Sequence, residues 1–331
     1  MIMLKKFVLY TSLLIAGTIS AQEVIAARGQ RHAAASYLSP ANLYRIGGHM
    51  QFNPVVFQRF PLTKNGTPDR RIINTGKFME DQSLYSPGIA VHGKYLYIVT
   101  GSLMNRKGKR SPLPHMIRYT IDAKGDLTEQ KALGALPEPD IFGSGVLISG
   151  KYMLVIGGYF KRNCYAAELL ADGTLGAWKK LRSLPSNVSA NKHIVKIGNK
   201  LYVCGPGGHN LSNNKMYMTE LDEEGLPTRW RRINAMPVKV DSNSCLVAEN
   251  EKAMLFFDGT ENKIYRGTFD EEGDVKEWKR IPGAKIPSGS KFLHIDIRKL
   301  ANGKWLLLNA LHDNPRRYIP ATMFEIPEMK E

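Results

Sequence analysis

Apolar and polar residues alternate with a period of two along most of this chain, and the same punctuation interrupts the alternation at regular intervals. From Cys164 an alternating run leads to Asp172-Gly173, and a second run carries Trp178 and stops at Leu184-Pro185. Alternation on both sides of a dipeptide whose glycine supplies a positive φ predicts a β-hairpin. The arrangement recurs over residues 216–221 with Glu224-Gly225, Trp230 and Met236-Pro237, and over 264–269 with Glu272-Gly273, Trp278 and Ile281-Pro282. Residues 117–121 with Lys124-Gly125 repeat it with Gln130 in the Trp place, and residues 55–62 with Asn65-Gly66 repeat it with Arg71 there. In every copy the Trp or its replacement stands five residues after the turn glycine.

A second kind of hairpin precedes each of these. Residues 88–101, 145–158, 193–205, 245–259 and 293–309 hold two nearly continuous apolar runs joined by a short turn such as Ser-Gly-Lys or Gly-Asn-Lys. Unbroken apolar runs predict inner strands covered on both faces, and flanking alternation predicts outer strands with one wet face. A full unit is thus four antiparallel strands, a to d. A repeat of roughly 50 residues is the period of propeller blades.

Strand b ends in Gly47-Gly48 and Gly157-Gly158, with Gly207-Gly208 close by, and strand d carries the Trp. This combination resembles the Kelch motif of galactose-oxidase-type β-propellers. The resemblance implies an all-β propeller whose ligands sit over the central channel, on the face built by the d–a and b–c connections. Six four-stranded blades are expected, with five blades plus extra N-terminal strands as the alternative. Residues 33–38, 42–48, 55–62 and 70–75 form the first blade; 293–300, 305–309 and 321–326 give strands a to c of the last. Strand d of that blade has no segment left at the C-terminus, so residues 23–28 are expected to fill it, closing the ring and removing its exposed edges.

The N-terminus changes the setting. Lys5 and Lys6, an apolar run over residues 7–19 and Ser20-Ala21 read as a secretory signal peptide, residues 1–21. The run is shorter than the roughly 20 residues of a membrane span. A single propeller domain over 22–331, secreted or periplasmic and without a transmembrane segment, is the expectation. The odd set Cys164, Cys204 and Cys245 falls on predicted strands, which suits buried thiols better than disulfides.

The formal net charge is +16, which favours an anionic partner: an anionic glycan or an acidic sugar. No nucleic-acid-reading motif accompanies it. No His-x-x-x-His, Cys-x-x-Cys, acidic calcium loop or nucleotide glycine fingerprint occurs, so no metal and no cofactor are expected. Sorted by face, the c–d turns Asp222-Glu223-Glu224 and Asp270-Glu271-Glu272 are acidic. The b–c loops are basic, with Arg106, Lys107, Lys109 and Arg110, then Lys161 and Arg162, Lys215, and Arg316 and Arg317. The candidate catalytic residues on that basic face are His193, His209, Tyr159 and Asp241. The candidate substrate-binding residues are His49, Arg162, Asn191, Lys192, Lys291, His312, Arg316, Arg317 and Tyr318.

The residue types suit two chemistries. In a lyase, Arg or Lys neutralises a uronate carboxylate while His or Tyr removes the proton alpha to it. In an epimerase or mutarotase, a carboxylate–His pair moves protons on a monosaccharide; exported Kelch-like propellers include such sugar mutarotases. The alternative from a different class is a non-catalytic module binding an anionic glycan or a protein on the same face.

Overall fold

The alternating runs fold as strands and nothing else. The structure, a computed structural model, describes residues 35–39, 41–47, 56–64, 73–77, 82–105, 107, 109–207, 211–286, 295–308 and 322–327. The first sheet is β1 (Ala35–Leu38), β2 (Asn42–Ile46), β3 (Val56–Pro61) and β4 (Ile73–Lys77). The second is β5 (Gln82–His92), β6 (Tyr95–Asn105), β8 (Ile117–Ile121) and β9 (Leu127–Ala132), with β7 (Arg110–Pro112) added to β6. The third is β10 (Gly145–Ser149), β11 (Tyr152–Gly158), β12 (Lys161–Glu168) and β13 (Lys179–Leu181). The fourth is β14 (Ile194–Ile197), β15 (Lys200–Cys204), β16 (Met216–Glu220) and β17 (Arg231–Ile233). The fifth is β18 (Ser244–Asn250), β19 (Ala253–Asp258), β20 (Lys263–Phe269) and β21 (Val275–Arg280), and the sixth is β22 (Asp296–Lys299), β23 (Trp305–Leu308) and β24 (Thr322–Phe324).

These six antiparallel sheets are the blades of a β-propeller. Strand a of each blade lies innermost: β1 packs on β5, β5 on β10, β14 on β18, β18 on β22, and β22 on β1. Gly145 of β10 lies against Ile194 of β14, which completes the circle. One apolar cluster fills each gap between neighbouring blades, from Tyr44, Phe57 and Leu96 between the first two to Leu43, Phe60, Leu306 and Leu308 between the last and the first. The inner runs are largely apolar because the blades are buried on both faces. The residues expected to supply strand d of the last blade, 23–28, lie outside the described residues. No helix among the described residues is long and apolar enough to cross a membrane.

Each Trp packs on the blade before its own. Trp178 joins Tyr97 and Val99, Trp230 joins Tyr152 and Leu154, and Trp278 joins Tyr202 and Met218. A tyrosine on strand b reaches the other way, to the c–d turn of the following blade. The hydroxyl of Tyr44 donates to the Gly125 carbonyl at 2.5 Å, that of Tyr97 to Gly173 at 3.0 Å, and that of Tyr202 to Gly273 at 2.7 Å. The turn glycine therefore makes the hairpin and also accepts the neighbour's latch. Gly173 has a φ of +76°, and a Cβ there would stand 2.4 Å from the Tyr95 ring. Gly198, at φ +56°, has nothing within 4 Å. Gly198→Ala is expected to cost about 1–2 kcal/mol for its left-handed backbone alone. Gly173→Ala should cost roughly twice that, because the ring must also move. Urea unfolding of the two variants measures the difference.

Three details depart from the expectation. β5 begins at Gln82 and β6 runs to Asn105, so this hairpin rises above its blade and recruits β7, which the sequence reading left as loop. β12 begins at Lys161, so Lys161 and Arg162 stand on a strand and the b–c link shrinks to Tyr159-Phe160. Trp178 and Trp230 sit just ahead of β13 and β17, and only Trp278 lies within its strand.

Candidate functional site

The upper mouth of the channel is built by the segment entering β14. The Ser189 N–H donates to the Pro206 carbonyl at 2.7 Å and the Asn191 N–H to Gly143 at 3.1 Å. The Asn191 amide donates to the Ser86 hydroxyl at 3.3 Å. Asn191 thus ties the tops of three blades together and delivers the next residue, Lys192, to the axis. The Lys192 carbonyl accepts the Leu246 N–H at 2.8 Å, and its side chain is buried, with 9% of the residue exposed. Burial pushes the Lys192 ammonium down to about 8, against the pull of Asp296 and with the help of Arg298 and Arg45.

Those partners sit where the first blade meets the last. The Ser36 hydroxyl on β1 donates to the buried Asp296 carboxylate on β22. Arg298 donates from Nε to Ser36 Oγ at 3.2 Å and from Nη2 to the Ser36 carbonyl at 3.0 Å, with Nε 3.3 Å from Asp296 Oδ1. Arg45, paired with Ser36 in the β1–β2 register, is buried as well. Asp296 thus pairs with Arg298 and attracts Lys192, while Arg298 and Arg45 both repel the Lys192 ammonium. The sequence reading named only Lys192 of these. The available signal was polar residues inside runs that should be apolar: Asp296 and Arg298 in an inner strand, Arg45 between Tyr44 and Ile46.

His193 follows Lys192 but turns into the wall. Its Nε2 lies 2.9 Å from Ser244 Oγ, Ser244 Oγ lies 2.7 Å from the Asp241 carbonyl, and Nδ1 lies 3.3 Å from the Ser189 carbonyl. A neutral imidazole and one hydroxyl supply two protons for these three contacts. The two short ones take them, so Nε2–H donates to Ser244 and Nδ1 is bare. Burial pushes His193 down to about 4, keeping it neutral. The Asp241 carboxylate accepts from the Asn243 N–H at 2.8 Å and from the Thr260 hydroxyl at 2.6 Å, an arrangement that shapes the turn into β18.

Tyr159 and Arg162 lie on the rim of the third blade. The Tyr159 ring stacks on Phe142, with centroids 4.8 Å apart, and Arg162 is exposed on β12. Lys161 is occupied by Glu138 at 2.7 Å. Burial would raise the Glu138 carboxyl, but hydrogen bonds from Lys161, Asn163 and Tyr165 prevail and hold it below the usual carboxylate range. His49, His209, Lys291, His312, Arg316, Arg317 and Tyr318 lie outside the described residues, as does Arg106.

The charge sorting is by radius as well as by face. The a–b turns on the lower side carry Lys94, Lys151, Lys200, Lys252 and Lys304 close to the axis, inside the acidic c–d turns. Several are neutralised locally: Lys151 by Glu168 at 3.1 Å and Lys304 by Glu325 at 2.8 Å.

The fold defines the class: a six-bladed, all-β propeller. No protein-family model matches the chain. No curated protein matches it by sequence. Among solved structures it is similar to one described as "Structure of YjhT", with a TM-score of 0.67 and 10% identity over 91% of this chain and 96% of that one. At that identity the likeness is one of fold.

Proposed function

We propose that the protein binds an acidic sugar over the upper mouth and acts on it as a lyase or an epimerase-type enzyme. The observation that carries this reading is the cluster of buried Lys192 and Arg45 with the Arg298–Asp296 pair, three cations to one carboxylate. An excess of cations between low-dielectric walls concentrates an anionic ligand. A carboxylate seated there gains negative charge when its alpha proton leaves, and guanidinium groups already in place stabilise that charge without reorganising. Lys192, held at about 8, has a neutral fraction near physiological pH and suits the proton transfer. His193 orients the segment that carries Lys192. Export after loss of residues 1–21 would bring such a protein to acidic polysaccharides outside the cytoplasm.

A second reading, a non-catalytic module for an anionic glycan, is favoured by one feature: His193, the only candidate imidazole among the described residues, is enclosed in the wall. A panel of acidic polysaccharides and monosaccharides separates the two. The readouts are ultraviolet absorbance of new unsaturated ends, anomeric exchange by NMR, and binding by calorimetry. The enzyme reading expects turnover by the wild type and a loss of about 100-fold or more in Lys192→Met, as for removal of a general base, far larger than the loss of binding that removing one positive charge brings. Binding without turnover, lost in graded and salt-dependent steps in Lys192→Met and Arg298→Ala, would establish the module instead. Absence of binding would overturn both.

A further inference from the structure

Phe160 is a bulky residue in a conformation that side chains of its kind avoid. Its φ is +58°, and its side chain is out in solvent, with 48% of the residue exposed. The b–c link of the fifth blade provides an internal comparison. There Asn262, φ +52°, stands immediately before Lys263 of β20, as Phe160 stands immediately before Lys161 of β12. The tight link into strand c therefore calls for a left-handed residue, and asparagine meets the requirement with little strain. Phenylalanine does not, and an exposed ring adds nothing to the core. Strain of this kind concentrates at binding sites, and Ser86, at φ +46°, lies beside the same rings.

Those rings form a continuous strip. Phe160 stands edge-on to Tyr159 with centroids 4.5 Å apart, Tyr159 stacks on Phe142, and Phe142 meets Tyr85 edge-on at 5.8 Å. The guanidinium of Arg110, on β7, lies 4.3 Å from the Tyr85 centroid and 5.6 Å from that of Phe142. Ser86, the neighbour of Tyr85, bonds to Asn191, which delivers Lys192 to the axis. The strip thus runs from the rim of the third blade to the charged mouth.

We infer that Phe160, Tyr159 and Phe142, with Arg110 and Arg162, form a second subsite that stacks a further sugar ring of an acidic oligosaccharide whose first residue occupies the axial mouth. The inference rests on the reading of that mouth as an acidic-sugar site and makes the preferred ligand an oligomer. Flat aromatic faces suit the apolar face of a pyranose, and the exposed guanidinium groups suit the carboxylate of each successive uronate.

Calorimetry with galacturonate and its linear trimer tests it, using the full chain and its Phe160→Asn, Arg110→Ala and Lys192→Met variants. The wild type should bind the trimer about tenfold or more tightly than the monomer, the effect of one added ring–ring contact. Phe160→Asn should lose that preference, keep the monomer affinity, and melt at or above the wild-type temperature because its backbone strain is relieved. Arg110→Ala should weaken only the trimer and reduce the salt dependence of its binding. Lys192→Met should weaken monomer and trimer alike. Equal wild-type affinities for the two, or a trimer preference untouched in Phe160→Asn, overturns the subsite while leaving the mouth intact. No binding of either overturns the mouth and the subsite together.

Discussion

Asp296→Ala is expected to destabilise the protein by about 3 kcal/mol, the low end of the range for breaking a buried ion pair. Its carboxylate has 2% of its surface exposed, whereas Arg298 retains 42% and so recovers part of its hydration when its partner is lost. The loss falls where the first blade meets the last, because Asp296 accepts from Ser36 of β1 and holds Arg298, its neighbour on β22, which also donates to Ser36. Removing it also leaves Lys192 without its leading counter-charge, so the ammonium should titrate further below about 8. Asp296→Asn isolates the charge from the shape. Paired with Lys192→Met in a double-mutant cycle, it should cost less than the two single changes added together, since the methionine removes the orphaned cation. Strict additivity in urea unfolding would refute the coupling.

Acid should act through His193. In the unfolded chain its imidazole takes a proton at its ordinary 6.5; in the folded protein burial holds that value down to about 4. Between those pH values the unfolded state binds a proton that the native state refuses. The contribution is therefore intact above 6.5 and withdrawn as pH falls toward 4, by about 3 kcal/mol. The hydrogen bond that a protonated Nδ1 would give to Ser189, the nearby Asp241 and the bond to Ser244 oppose the shift, and Lys192 adds to it. His193→Gln offers an uncharged amide to Ser244 at every pH. The wild type's stability relative to this variant should fall by that amount between pH 7 and pH 4, as measured by urea unfolding at each pH. A constant difference would mean that the folded imidazole already carries its second proton, which would also fill the 3.3 Å contact to Ser189.

The hairpins around Gly173, Gly225 and Gly273 were legible because everything that specifies them is local. Alternation, a turn glycine and a Trp at fixed spacing fall within about twenty residues of chain. β7 was not legible: Arg110, Ser111 and Pro112 carry no strand pattern, and an exposed edge strand forms only because β6 extends far enough to pair with it. Lys192 was picked out from its place ahead of strand a, and Asn191 with it. Asp296 and Arg298 were passed over because a charge in an inner strand makes sense only beside Ser36, and 260 residues separate Ser36 from Asp296. Phe160 went unremarked because its cue is a backbone angle.

By itself the sequence determined that this chain is a ring of repeated four-strand sheets, since burial on both faces demands largely apolar inner runs and each turn needs its glycine. It also marked the basic character of one set of loops. Only the tertiary structure decided which charges meet: ring closure brings the two ends of the described chain together, and burial there sets the protonation of Lys192 and His193. Electrostatic energy depends on distance through a low-dielectric interior, and the order of residues along a chain does not contain that distance.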